Sequence, residues 1–305
     1  MSITGPHPAS RRDLLTDGVT DSSLRSVGGR SWDRIRRGSY LPSGIDLTGE
    51  ARCLALIRAT APLLAERSVL SHASAVLWRG LPLVGVLPSR VHVLRRDRSG
   101  GFRRGQLHCH VGTVDDDEIE IVEGMPVTCV ARTVVDCART LPLEAGLVLA
   151  DSALRDGPTS RDEMAEQLVR AARRTGIAKA RWVVGFADER SESPGESISR
   201  LRIHQFGLPA PWLQYEIRLP SERRAFTDFY WEESRTVGEF DGRVKYGRDL
   251  RPGESAGDAV HREKVREDEI RDTSREVVRW GWAAFEDFAP VARSLRRAFD
   301  RARSR

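Results

Sequence analysis

The stretch from Ala225 to Asp241 constrains this chain more than any other. Two runs rich in β-formers, Ala225–Trp231 and Arg235–Asp241, flank the polar Glu232-Glu233-Ser234. The pattern predicts a hairpin with its loop centred between Glu233 and Ser234. Asp228 then falls opposite Glu239, with Cβ atoms roughly 5 Å apart. Asp241 lies two residues beyond Glu239 and shares its face. Carboxylates this close repel, and at least one holds its proton more tightly unless a cation sits among them. A divalent ion with oxygen ligands resolves the conflict, and Mg²⁺ is the usual ion at phosphate chemistry. Asp228, Glu239 and Asp241 are therefore candidate metal ligands of a phosphodiesterase. The same residues also suit a solvated hairpin whose acids pair with arginines, and a slip of one residue sends a carboxylate to the other face.

The chain's 305 residues predict two domains or three small ones, and its 40% hydrophobic content suffices for real cores. A net charge of +5 and a pI near 9.3 are compatible with a nucleic-acid partner without requiring one. Among 49 basic residues only three are lysines, Lys179, Lys245 and Lys264. Two of them fall near the acidic motif, which hints at a need for an ammonium there and makes Lys245 a candidate catalytic residue. Cys53, Cys109, Cys129 and Cys137 show no Cys-x-x-Cys spacing. They read as small buried residues in a reducing compartment rather than a zinc ribbon. No apolar run resembles a signal peptide or a membrane span, so the expectation is a cytoplasmic chain with no membrane partner.

At the N-terminus, Arg11–Asp17 reads as a short helix. Thr20-Asp21-Ser22-Ser23 offers caps for a second helix that ends at Gly28-Gly29. Trp32-Asp33-Arg34-Ile35-Arg36 and Ser39-Tyr40-Leu41 flank Arg37-Gly38 as a small hairpin. Helix, turn, helix and basic hairpin are the outline of a winged helix over residues 1–47. Its second helix would enter the major groove of double-stranded DNA. Arg25, Arg30, Arg34, Arg36 and Arg37 are the candidate DNA-binding residues, facing phosphates or the minor groove. A helical hairpin used for protein contact fits the same pattern. Residues 48–190 alternate amphipathic helices with short strands, and residues 191–305 begin after the linker-like Ser193-Pro194-Gly195. The expected fold is α/β (α+β) in three domains: a winged helix, a middle α/β domain with a helical linker, and a C-terminal mixed sheet flanked by helices.

From about Ser193 to Phe288 the order of elements is helix, three strands, helix, strand. Glu196 lies on the opening helix, followed by Asp228-Phe229 and Glu239-Phe240-Asp241-Gly242. Arg266 and Asp268 come later, then Val277-Val278-Arg279. This third of the chain resembles the Vsr-like branch of the PD-(D/E)XK nuclease superfamily. The resemblance implies a Mg²⁺-binding cleft held by Asp228 and Glu239, with Asp241 binding the ion or orienting water and Glu196 adding an outer carboxylate. The metal would polarise the scissile phosphate and activate the attacking water. The superfamily places a lysine two residues after the second acid. Here that position is Asp241, and Lys245 or Lys264 would have to serve from elsewhere. A degenerate core that binds without cleaving is the rival reading. Glu196 also suits a plain helix start, with its charge toward the helix dipole.

The N-terminal half carries Arg36-Arg37-Gly38-Ser39-Tyr40, Leu70-Ser71-His72-Ala73-Ser74-Ala75, Gly80-Leu81-Pro82, Arg132-Thr133-Val134-Val135-Asp136 and Leu149-Ala150-Asp151-Ser152-Ala153-Leu154. In that order these segments resemble AbiEi-type antitoxins of type IV toxin–antitoxin systems. The resemblance implies sequence-specific DNA binding, autoregulation of an operon and a cognate toxin encoded in it. His72, in an apolar helix, reads as a hydrogen-bonded core residue rather than a catalyst. His92, His108 and His110 lie on expected strands. His108 and His110 share a face, but the sequence offers no third ligand for a metal.

Overall fold

The computed structural model describes residues 6–25, 31–45, 47, 49–85, 87–97, 100–157, 159–242, 269–270, 272–273 and 275–303. Arg30, Lys245, Lys264, Arg266 and Asp268 lie outside the described residues. The chain is a mixed α/β protein that divides into two compact units, Met1–Ala187 and Asp188–Arg305. Among the described residues no helix is long and apolar enough to cross a membrane.

The first unit opens with β1 (Ala9–Ser10), α1 (Arg11–Thr16), α2 (Asp21–Arg25), β2 (Trp32–Arg36) and β3 (Ser39–Pro42). Ser10 caps α1, accepting from the Asp13 amide at 3.1 Å. The strands form an antiparallel sheet in the order β1-β3-β2, turning at Gly38 with φ +82°. Leu14, Leu24 and Tyr40 bury one small cluster here. Ile35 and Leu41 join Ala55 and Ala59 of α3 (Gly49–Thr60) in another, which ties the small sheet to that helix.

A six-stranded mixed sheet comes next. It is built from β4 (Ser68–Leu70), β5 (Val91–Arg95), β6 (Phe102–Arg104), β7 (Leu107–Cys109), β8 (Ile119–Val122) and β9 (Met125–Thr128) in the order β6-β7-β5-β4-β9-β8. Helix α4 (His72–Trp78) follows β4 and is buried along its whole length. β5 leads into a loop that overshoots by one strand position to form β6. The tight return at Gly105 then lays β7 between β6 and β5, parallel to β5. Gly101 is needed for this return, because a Cβ there would lie 2.9 Å from the Cys109 carbonyl oxygen. Four helices close the unit: α5 (Val130–Thr140), α6 (Leu143–Arg155), α7 (Arg161–Arg170) and α8 (Ile177–Phe186). α5 is packed against the other three.

An ion cluster lies inside this unit. Arg132, on α5, is 1% exposed and pairs with Glu118 and Asp136, each at 2.6 Å. Arg139 reaches the other Asp136 oxygen at 2.6 Å, and Arg132 also donates to the Thr113 carbonyl. The Arg132–Asp136 segment that marked the antitoxin resemblance is thus an internal charge scaffold.

The second unit runs α9 (Pro194–Gln205), β10 (Trp212–Arg218), β11 (Arg224–Trp231), β12 (Thr236–Asp241), β13 (Glu276–Gly281) and α10 (Ala289–Arg303). The strands lie in sequence order, and only β12–β13 is parallel. Phe229, Trp231, Phe240 and Trp280 fill one face of the sheet against Ile203, Leu295 and Phe299. Tyr230, Val237 and Ile270 lie on the other face.

Three short strands were not legible in the sequence. Ser68-Val69-Leu70 is buried at every position, so no polar–apolar alternation marks it. β6 and β9 have three and four residues, too few for a period of two to stand out. Helix α3 is followed by a 3₁₀ turn at Ala61–Leu63, where Pro62 removes the donor that would continue the helix.

Candidate functional site

The acidic hairpin of the second unit has the predicted register. Phe229 pairs with Gly238, Tyr230 with Val237 and Trp231 with Thr236, and extending that register puts Asp228 opposite Glu239. The ladder between β11 and β12 stops at Phe229, however, while β11 stays paired with β10 down to Arg224. Asp228 stands at this fork. Its Oδ2 accepts the Phe240 amide at 2.7 Å, so a carboxylate takes over where the main-chain ladder with β12 ends. Opposite it, Gln214 on β10 has φ +49°, a local distortion of the strand.

Glu239 is buried on β12, beside Arg279 of the parallel strand β13, whereas Asp241 at the strand end is exposed. Glu196 is buried in the first turn of α9. Its carboxylate accepts from the Glu192 amide at 2.9 Å, Ser193 Oγ at 2.7 Å and Gln214 Nε2 at 3.1 Å. The first two bonds anchor the helix start, and the third ties it to β10. Gly195 lets that turn rest on Phe240, since a Cβ there would overlap the ring. Among the described residues, the group of three side chains placed to hold a metal ion is a histidine cluster in the first unit, and Asp228, Glu239 and Asp241 are not such a group.

The candidate DNA-binding arginines differ in their surroundings. Arg25 is exposed and pairs with Asp21 one turn earlier at 3.1 Å, and Asp21 also holds Arg11. Arg34 and Arg37 are exposed on the β2–β3 hairpin. Arg36 turns inward, reaching the Ala59 carbonyl at 3.4 Å, with its Nε buried and unpartnered. A cleft of about 660 Å³ is lined by Leu24, Arg25, Trp32, Arg34, Ile45 and Arg52 among others.

One constellation was only half visible in the sequence. His92 and His108 are register partners on the parallel strands β5 and β7, so their side chains share a face. His110, two residues beyond His108, is fixed by its amide on the Val93 carbonyl at 2.9 Å. The donor atoms of these three rings lie within 4.8 Å of one another. His110 Nε2 and His92 Nδ1 are 3.1 Å apart. His72, at the start of α4 with φ +50°, stacks flat on His110 with centroids 3.5 Å apart. Its Nδ1 meets Ser71 Oγ at 3.0 Å. Burial disfavours the charged rings, lowering His72 to about 4 and His92 to about 3; His108 and His110 are lowered by the same cause. The third ring that the sequence did not bring to His108 and His110 is His92. Its place beside His108 depends on the overshoot of β6 and the parallel pairing this produces. Alternation in Val91-His92-Val93 marks its face but not its neighbour.

No family model matches the chain. Two proteins of Mycobacterium tuberculosis described as uncharacterized, Rv2248 and MT2308, are each 35% identical to it over 135 residues. The match covers 44% of this chain and 48% of theirs, so the chain spans about half the length of the curated relatives it matches.

Proposed function

We propose that this chain is a DNA-binding regulator of the antitoxin kind, in which the second unit is a nuclease-like core that binds rather than cleaves. The observation that carries the first part is the strand order β1-β3-β2, with α1 and α2 inserted between β1 and β2. That is the connectivity a winged helix requires. It puts α2 and the β2–β3 wing, with exposed Arg25, Arg34 and Arg37, on one small module. Arg34 and Arg37 are assigned to phosphates and Arg25 to the groove-facing helix. Arg36, drawn toward Ala59, is assigned to holding the wing on α3 rather than to DNA. A toxin encoded in the same operon is the partner this reading implies.

The test is a gel shift on the chain's own promoter region as a function of salt. Arg34→Ala with Arg37→Ala should weaken binding across sequences and flatten the salt dependence by about one phosphate contact per residue. Unchanged binding and slope would remove this surface from consideration.

A Mg²⁺-dependent endonuclease is the second reading, favoured by the position of Asp228 at the fork opposite Glu239. Plasmid incubated with the chain and Mg²⁺ or Mn²⁺ should remain intact. Cleavage lost in both Asp228→Asn and Glu239→Gln would establish the nuclease reading instead.

A further inference from the structure

We infer that His92, His108 and His110 form a binding site for a divalent first-row transition ion, with Zn²⁺ the best fit. The site stands on geometry and is independent of DNA binding. Three imidazoles converge from two parallel strands and the turn after one of them, all on one face of the sheet. Around tetrahedral zinc, with Zn–N near 2.0–2.1 Å, ligand nitrogens lie about 3.3 Å apart. The 3.1 Å between His110 Nε2 and His92 Nδ1 is already close to such an edge. The three donor atoms, all within 4.8 Å, need only side-chain rotation to complete a face. Nitrogen-only donors suit zinc, copper or nickel and are indifferent to magnesium.

The surroundings support the same ion. His72 stacks on His110 and is held from below by Ser71, which restricts the tilt of the His110 ring. His92, His108 and His110 are half-buried rather than enclosed, so a fourth position stays open to a ligand from solvent. Arg103 borders the site, its Nε 3.3 Å from His108 Nε2. An incoming ion either displaces that exposed guanidinium or takes Nδ1 of His108. In both cases a positive charge beside the open position favours an anionic fourth ligand, a carboxylate or phosphate oxygen. Arg90 adds charge of the same sign near His92 and His108. The charges near His72 are Asp136, Arg132 and Arg139.

The test uses the full chain stripped with a chelator. Zn²⁺ is titrated against a chromogenic indicator, and Co²⁺ is followed by its visible absorption. The expected result is one ion per chain with the intense d–d bands of a four-coordinate site with three nitrogen ligands, unaffected by excess Mg²⁺. His92→Ala and His110→Ala should each weaken binding at least tenfold, while His204→Ala in the other unit should leave it unchanged. If either alanine variant loses its thermal transition, His108→Gln at the half-exposed position must show the same weakening. Absence of a stoichiometric ion in the wild type, or affinity equal to wild type in the histidine variants, overturns the assignment.

Discussion

Replacing Arg132 by methionine should be the most damaging single change in the first unit. Methionine approximates the volume of the arginine stem but removes a charge that faces two buried carboxylates, Glu118 and Asp136 at 2% and 1% exposure. Asp136 keeps Arg139 at 2.6 Å and Arg174 at 3.6 Å. Glu118 keeps the Asp115 amide and a distant Arg170 at 4.0 Å, so its charge is the less compensated. Breaking a buried pair from one side costs about 3–5 kcal/mol, or roughly 6–20 °C in Tm for a unit of this size.

The pH dependence carries the sign. Burial alone would raise the Asp136 carboxyl. The charges facing it, from His72 when that ring is protonated and from Arg132 and Arg139, outweigh burial and hold it below the usual carboxylate range. A depressed folded-state pKa contributes stability that is present above the unfolded carboxylate value and lost as pH falls through the folded one. The wild type should therefore hold its stability from pH 7 to about 5 and lose it in stronger acid. Arg132→Met should do the reverse over the first interval, because protonation relieves its orphaned carboxylates, and the gap between the two proteins should narrow. Urea melts at pH 7 and 5 measure this. A loss below about 1 kcal/mol at pH 7, or a gap that widens on acidification, would refute the reasoning. Adding Glu118→Gln to Arg132→Met should recover part of the loss, since it removes one buried charge.

Other substitutions probe separate joints. Gly195→Ala drives a Cβ into the Phe240 ring and should destabilise the second unit by about 1–3 kcal/mol in thermal melts; a neutral result would mean that α9 is not seated on β12. Ser160→Ala removes the capping box with Glu163 at the start of α7 and should cost about 1 kcal/mol in urea unfolding. Trp280→Phe gives up the 2.8 Å bond from its indole to Ser199 Oγ, deep in the second core. It should cost about 1–3 kcal/mol, and Ser199→Ala in the same background should restore part of that.

Legibility in the sequence followed element length and locality. The acidic hairpin could be read in advance because two runs rich in β-formers flank a short polar loop, and a loop centred there sets the register. Helix α9 starts where the linker-like Ser193-Pro194-Gly195 placed it, because Ser193 caps it and Pro194 suits a first turn. What the register could not convey is that the β11–β12 pairing ends at Phe229, with the Asp228 carboxylate taking the Phe240 amide. The histidine cluster was hidden for a related reason. His108 and His110 announce a shared face, but their meeting with His92 depends on a non-sequential parallel pairing, and with His72 on an unusual backbone angle. Arg36 shows the converse, a residue grouped with exposed neighbours by sequence and turned inward by the fold.

The fork at Asp228 gives that side chain two duties at once. It is a pin joining β12 where the main-chain ladder ends, and it is a carboxylate opposite Glu239. Removing it altogether confounds the two, because a lost activity and a loosened hinge would look alike. A carboxamide keeps an oxygen for the Phe240 amide while surrendering the charge. Asparagine at this position is therefore the substitution that separates a joint from a reagent.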